Sequence, residues 1–254
     1  MSKIIVVANQ KGGVGKTTTA VNLAACMAVT EVPTLIIDMD PQSNATSGLG
    51  IELSDSEASI YDVLINDTEV NEVIRKSELP LLDILPSSAK LVGAEIELVP
   101  ALARETILKG ALATVNGEYE YVFIDCPPSL GLLTLNSLTA ADSVLVTVQC
   151  EYFALEGLSQ LLNTIRLVQK SLNSSLEIEG FLITMFDSRL NLSRQVADEI
   201  REYFKEKVFN TVINRNVKLG EAPSYGKPII LYDAVSTGAS NYMNLVREML
   251  ENAG

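Results

Sequence analysis

Lys16 and Thr17 close the run Asn9-Gln10-Lys11-Gly12-Gly13-Val14-Gly15-Lys16-Thr17-Thr18. An ammonium and a hydroxyl directly after three glycines are the groups a chain of phosphates requires. The glycines let the backbone of Gly12, Gly13, Val14 and Gly15 curl until several N–H groups converge on one anion. Lys16 then reaches the β- and γ-phosphates, and the Thr17 hydroxyl ligates Mg²⁺. The general pattern G-x-x-x-x-G-K-[ST] wants glycine at position 10, where this chain has Gln10. A second lysine, Lys11, sits at the start of the turn instead. Two lysines on one triphosphate exceed what a simple cradle needs, so Lys11 is expected to point toward a nucleotide held by another copy of the chain.

Two further stretches carry carboxylates suited to the same chemistry. Asp38-Met39-Asp40-Pro41-Gln42 follows an apolar run, and so does Asp125-Cys126-Pro127-Pro128-Ser129. Acidic residues at the carboxyl end of a parallel strand face the crevice where α/β proteins bind ligands. Asp38 and Asp40 suit the metal and the attacking water respectively, and Asp125 suits a second metal-side role through water. An apolar run ending in aspartate is common, and its weight here comes from the loop at 11–18. Without that loop, Asp38 to Gln42 reads equally as a surface turn.

The elements that must position these groups follow from the pattern. Ile4-Ile5-Val6-Val7-Ala8 reads as a buried strand, and the segment after Lys16 as a helix running to about Val29. Further strands are expected at 33–38, 81–86, 121–125, 143–149, 179–184 and 211–213. Helices are expected near 60–64, over 88–115 with a break at Pro100, and over 154–170, 192–204 and 236–251. The stripe Leu155, Leu158, Leu161, Leu162, Ile165 and Val168 reads as core packing. Residues 214–227 read as a long loop. Strand and helix alternate without repeats, which predicts an α/β fold over residues 1–254: a single doubly wound, mostly parallel sheet flanked by helices.

Composition excludes several functions. The chain of 254 residues has no histidine, so Ser-His-Asp machinery and His-ligated zinc are absent. Cys26, Cys126 and Cys150 are too scattered for a disulfide framework and point to a reduced, cytoplasmic protein with buried thiols. No apolar stretch reaches the roughly 18 residues of a membrane span, and Met1-Ser2-Lys3 reads as the start of the first strand rather than of a signal peptide. The net charge of −13 argues against a general nucleic-acid binder. It is uneven, however. Residues 52–80 hold eight acidic and two basic side chains, whereas residues 189–227 hold eight basic and five acidic, a local basic patch.

Lys-Gly-Gly-Val-Gly-Lys-Thr together with Asp-Met-Asp-Pro-Gln and Ile-Asp-Cys-Pro-Pro-Ser resembles the ParA/Soj family of deviant Walker A ATPases. These are P-loop NTPases of the SIMIBI type, with MinD and the nitrogenase iron protein as relatives. Residues 148–157 and 215–224 resemble two further blocks of that family, so the likeness covers essentially the whole chain. The resemblance implies ATP and Mg²⁺ as cofactors and a sandwich homodimer in which Lys11 crosses to the partner's phosphates. It implies Lys16 on the β- and γ-phosphates, Thr17 on Mg²⁺, Thr18 on the α-phosphate, Asp40 on the attacking water, and Asp38 and Asp125 in the magnesium shell. Met185, Asn214 and Asn216 match positions around the base, although the family usually has proline where Asn214 stands. Arg189 and Lys218 match positions that bind DNA without sequence preference, with lysine at 218 where arginine is commoner. A ParB-type centromere-binding partner and a nucleoid-associated, cytoplasmic location are also implied.

Two other readings compete. A MinD-like membrane-positioning ATPase needs a basic amphipathic tail, and the residues 246–254 carry one Arg and two Glu. A cluster carrier needs paired cysteine ligands, and the three cysteines offer no such spacing.

Overall fold

The computed structural model describes residues 2–115, 117–151 and 154–253. Seven strands form one sheet: β1 (Lys3–Ala8), β2 (Thr34–Asp38), β3 (Arg75–Lys76), β4 (Leu82–Leu85), β5 (Tyr121–Asp125), β6 (Ser143–Gln149) and β7 (Glu177–Thr184). Their order is β3-β4-β2-β5-β1-β6-β7. Every pairing is parallel except β3 with β4. Strands buried on both faces need apolar side chains at every position, which is why β1 and β5 read as unbroken apolar runs. The two-residue β3 closes one edge with a charged side chain, Lys76, and leaves little backbone open to pairing.

Successive side chains leave a strand on opposite faces, and the core divides accordingly. Val6, Leu35, Ile37, Val122 and Ile124 pack on one side. Ile5, Val7, Ile36, Phe123 and Leu145 pack on the other. The first side is covered by α3 (Ile60–Ile65), α4 (Val70–Val73), α5 (Leu91–Glu97), α6 (Ile107–Leu112), α7 (Leu132–Ala140), α8 (Ala154–Ser171) and α9 (Asn191–Phe204). The second carries α1 (Lys16–Val29), α2 (Asn44–Gly48), α10 (Val217–Glu221), α11 (Ile229–Tyr232) and α12 (Thr237–Ala253). This is the expected doubly wound, mostly parallel sheet.

Helix α1 lies between the sheet and α12 and is buried from Thr19 to Ala28. Its polar side chains are satisfied inside the protein. Thr19 shares a hydrogen bond of 3.1 Å with the Tyr242 hydroxyl. Asn22 donates to the Thr18 carbonyl at 2.7 Å and accepts from the Ile229 N–H at 2.6 Å.

Two sequence expectations are corrected. Residues 211–213 form no strand. The chain there touches β7 through Phe209 N–H to Phe181 and Ile213 N–H to Ile183, but the Asn210 and Thr211 N–H groups donate to the Glu248 carboxylate of α12. A ladder cannot form once those donors are diverted. The expected loop 214–227 contains α10, capped by the Asn216 side chain on the Lys218 N–H at 2.8 Å, and a 3₁₀ turn at Ala222–Tyr225. Helix α7 lies in residues 130–142, to which the sequence reading assigned no element. Within it, the Ser137 and Thr139 hydroxyls bond back to the carbonyls of Leu133 and Leu135, which lets them be buried.

Candidate nucleotide site

The carboxyl ends of three strands meet at one level. Asp38 of β2 is in register with Asp125 of β5, and Asp125 with Val7 of β1. Chain order turns both ways from β1, so the crevice beyond these ends is the topological switch point of the sheet. The loop between β1 and α1 occupies it.

That loop requires its glycines. Gly13 and Gly15 have φ of 73° and 85°, a region that side chains with Cβ rarely adopt. Its shape is held from outside as well. The Asn9 side chain accepts from the Lys11 N–H at 2.9 Å and donates to the Thr147 carbonyl at 2.6 Å. The Thr184 hydroxyl, at the end of β7, donates to the Val14 carbonyl at 2.8 Å. Val14 is thereby buried beneath the loop. Lys16 is only 6% exposed. Its ammonium folds onto the Lys11 carbonyl at 3.1 Å, and burial lowers its pKa despite the opposing pull of Asp125. A buried, incompletely compensated cation is a receptor for an anion.

The three carboxylates are in unequal positions. Asp38 is fully buried and saturated: Oδ2 accepts from the Thr46 N–H at 2.8 Å and the Thr46 hydroxyl at 2.7 Å, and Oδ1 from the Asp40 N–H at 3.1 Å. Burial pushes its pKa up to about 6, and the Thr46 hydrogen bonds oppose that rise. Asp40 Oδ1 accepts from the Gln42 N–H at 2.9 Å, and its carbonyl accepts from the buried Ser87 hydroxyl at 2.8 Å. Asp125 is fully buried, and neither of its carboxylate oxygens has a hydrogen-bond partner of ordinary geometry. Burial and the nearby Asp38 drive its pKa well upward, while the Thr17 hydroxyl and Lys16 are close enough to oppose the rise. An orphaned carboxylate beside a threonine hydroxyl fits a hydrated Mg²⁺ brought in with phosphates. Among the described residues no three acidic, Cys or His side chains form a metal cage.

A cleft of about 830 Å³ opens over the loop. Gly12, Gly13, Gly15, Lys16, Thr17, Thr18 and Asp40 line it, together with Met185, Asn214 and Asn216. The structure thus brings most of the expected nucleotide residues into one space. Met185 has φ of 49°, an unusual conformation for a residue with a side chain and one that often marks a ligand wall. Sequence reasoning assigned no role to Asn9, Thr184 or Asn241. Asn9 and Thr184, each at the carboxyl end of a strand, carried a signal that points to the crevice.

Asn241 braces Asn214 at the wall of the cleft. Its Oδ1 accepts both the Asn214 backbone N–H at 3.1 Å and the Asn214 side-chain amide at 3.2 Å. The backbone donor identifies the Asn241 atom as oxygen, so Asn214 turns its nitrogen inward and keeps its own oxygen free. Asn241→Ala is expected to weaken binding of a fluorescent adenine nucleotide by about 3- to 10-fold, the worth of one or two ordinary hydrogen bonds. Pyrophosphate binding, measured in parallel, is expected to stay unchanged.

The remaining predicted residues lie outside the cleft. Lys11 pairs with Glu151, and both side chains are nearly half exposed. Arg189 forms a two-pronged ion pair with Asp187 at 2.8 and 2.7 Å, which draws the Asp187 pKa down to about 2. Lys218 sits 3.1 Å from Glu221 and over the Tyr232 ring. Tyr152 and Phe153 of the 148–157 block lie outside the described residues. All three cysteines are free and buried, with their thiol pKa values raised by burial.

Comparison with known proteins agrees with this geometry. A family model described as an AAA domain matches residues 2–178. The sporulation initiation inhibitor protein Soj of Bacillus subtilis is 59% identical over 252 residues, 99% of this chain and 100% of that protein. The chromosome partitioning protein ParA of Myxococcus xanthus is 55% identical over 251 residues, 99% of this chain and 89% of the relative. Among solved structures, cobyrinic acid a,c-diamide synthase from Mycobacterium smegmatis, with a bound ATP analogue and magnesium, is 36% identical with a TM-score of 0.87, covering 100% of this chain and 96% of that one. The P-loop cleft, the full-length identity and the sheet order together show that this chain belongs to the ParA/Soj family of chromosome-partitioning ATPases.

Proposed function

We propose that the chain is an ATP-switched partition ATPase whose nucleotide joins two copies and whose dimer binds DNA without sequence preference. The observation that carries this reading is the division of labour between two lysines: Lys16 is buried in the cleft, and Lys11 lies outside it on an exposed partner. A lysine that does not serve its own cleft is available to a neighbouring one.

In this reading the N–H groups of residues 12–17 and the Lys16 ammonium hold the β- and γ-phosphates, Thr18 holds the α-phosphate, and the N-terminus of α1 adds its positive end. Mg²⁺, when bound, would neutralise phosphate charge from a position served by Thr17 directly and by Asp125 through water, with Asp38 ordering the surrounding loop. Asp40 orients the attacking water. Met185, Asn214 and Asn216 border the adenine. Phosphoryl transfer asks mainly for alignment and charge neutralisation, and these side chains supply both. A ParB-type partner would stimulate hydrolysis and so release the dimer from the nucleoid.

DNA retention tests the DNA-binding step. With ATP, Arg189→Glu is expected to lose at least about tenfold in affinity for random-sequence DNA, and the remaining binding is expected to fall steeply with salt, as phosphate contacts do. Retention equal to wild type at every salt concentration would remove Arg189 from the DNA surface. The MinD-like reading is disfavoured because Leu245, Val246 and Met249 of α12 pack into the core rather than forming a free apolar face. Among the described residues no helix is long and apolar enough to cross a membrane.

A further inference from the structure

Helix α7 begins at Gly131, which offers no side chain to cap it. The first N–H groups of any helix lack partners within it. Here a residue from another helix supplies them. Glu95 of α5 accepts the Leu132 N–H on Oε2 at 3.0 Å and the Leu133 N–H on Oε1 at 3.4 Å. The approach is so close that a Cβ at Gly131 would lie 2.7 Å from Glu95 Oε2. A side chain at 131 would therefore push the Glu95 carboxylate away from these N–H groups.

This clamp sits at the end of a short segment, residues 126–131, whose other end is Asp125. Between the two, Pro128 lines the nucleotide cleft and faces Gly12 of the phosphate loop. The far end is fixed by Glu95 and by the Thr134 hydroxyl on the Ser129 carbonyl at 2.6 Å. We propose that Glu95 is a positioning residue of the nucleotide site: it clamps the start of α7 and so holds the segment carrying Asp125 and Pro128 against the phosphate loop. The proposal rests on the ATPase reading above. Glu95 touches none of the groups that grip the phosphates, so its loss acts on alignment. Misplacement of a reacting group by about 1 Å costs on the order of 100-fold in rate.

The test compares Glu95→Ala, Glu95→Gln and Gly131→Ala in the full chain, by single-turnover ATP hydrolysis and by fluorescent ATP-analogue affinity. Glu95→Ala and Gly131→Ala are expected to slow hydrolysis at least about tenfold while affinity moves less than about threefold. Glu95→Gln keeps one acceptor oxygen and is expected to recover most of the rate. A Glu95→Ala rate within twofold of wild type overturns the proposal. So does a parallel loss of rate, affinity and Tm that Glu95→Gln fails to rescue, since that is the mark of a purely structural cap. Wild-type protein that binds no ATP would overturn the ATPase reading and this one with it, and is told apart from the other failures by the wild-type control alone.

Discussion

With ATP present, Asp40→Ala is expected to elute from gel filtration as a stable dimer, and Lys11→Ala as a monomer. Asp40 lines the cleft and is held in place from two sides, by Gln42 on its carboxylate and by Ser87 on its carbonyl. Removing its side chain leaves Lys16, Thr17 and the loop N–H groups intact, so nucleotide still enters. Hydrolysis should fall by about 10²- to 10⁴-fold, the usual contribution of a group that handles the attacking water's proton or position. The joined state then accumulates. Lys11 acts at the opposite step. Its pairing with Glu151 is between two side chains that are each nearly half exposed and is worth no more than about 1 kcal/mol. A triphosphate offered by a second copy easily outcompetes one carboxylate. Without the lysine that exchange has no driving charge. Monomers in both variants, each with ATP bound, would remove nucleotide-driven dimerisation from the account.

Lys16→Met is expected to abolish nucleotide binding and yet to raise the Tm of the nucleotide-free protein. Burial lowers the Lys16 pKa below that of the unfolded chain. Between the folded and unfolded values the unfolded state holds more protons, so stability rises with pH across that window and is reduced below it. At neutral pH the charged lysine is therefore a destabilising element of the empty protein. Methionine of similar length removes the charge and fills the space. Asp125 loses an attractive neighbour, which pushes its pKa further in the direction burial already drives it. A gain of about 1 kcal/mol corresponds to a Tm rise of about 2–4 °C for a domain of this size. The wild-type protein should overtake the variant only when ATP is added, because a ligand that binds the folded state alone stabilises it by mass action. A lower Tm for the nucleotide-free variant would mean that Lys16 supports the loop more than it strains it. Differential scanning calorimetry with and without ATP reads both halves.

The local signals in the chain were strong enough to be read one at a time. Glycines at 13 and 15 require a turn that other residues resist. Apolar runs ending at Asp38 and Asp125 require buried parallel strands with their acids at the rim. Alternation of such runs with helical periods leaves a doubly wound sheet as the economical arrangement. The misses share one cause. Helix α7, to which no element was assigned, hides its hydroxyls by bonding to its own backbone. The stretch 211–213 has the residues of a strand but loses its donors to Glu248, which lies on α12 and far along the chain.

By itself, then, the order of residues determined that a phosphate loop stands at the head of an α/β sheet, and which lysines and aspartates surround it. Tertiary structure alone decided how each of them is used. It saturates Asp38 with Thr46 and leaves both oxygens of Asp125 open. It brings Thr184 to Val14, Asn241 to Asn214 and Glu95 to the start of α7, each across a long stretch of chain. Turn glycines and strand periods act over a few residues and leave a local trace. The partner of a buried charge or a helix end is chosen by packing between segments distant in sequence, and no short window of residues records that choice.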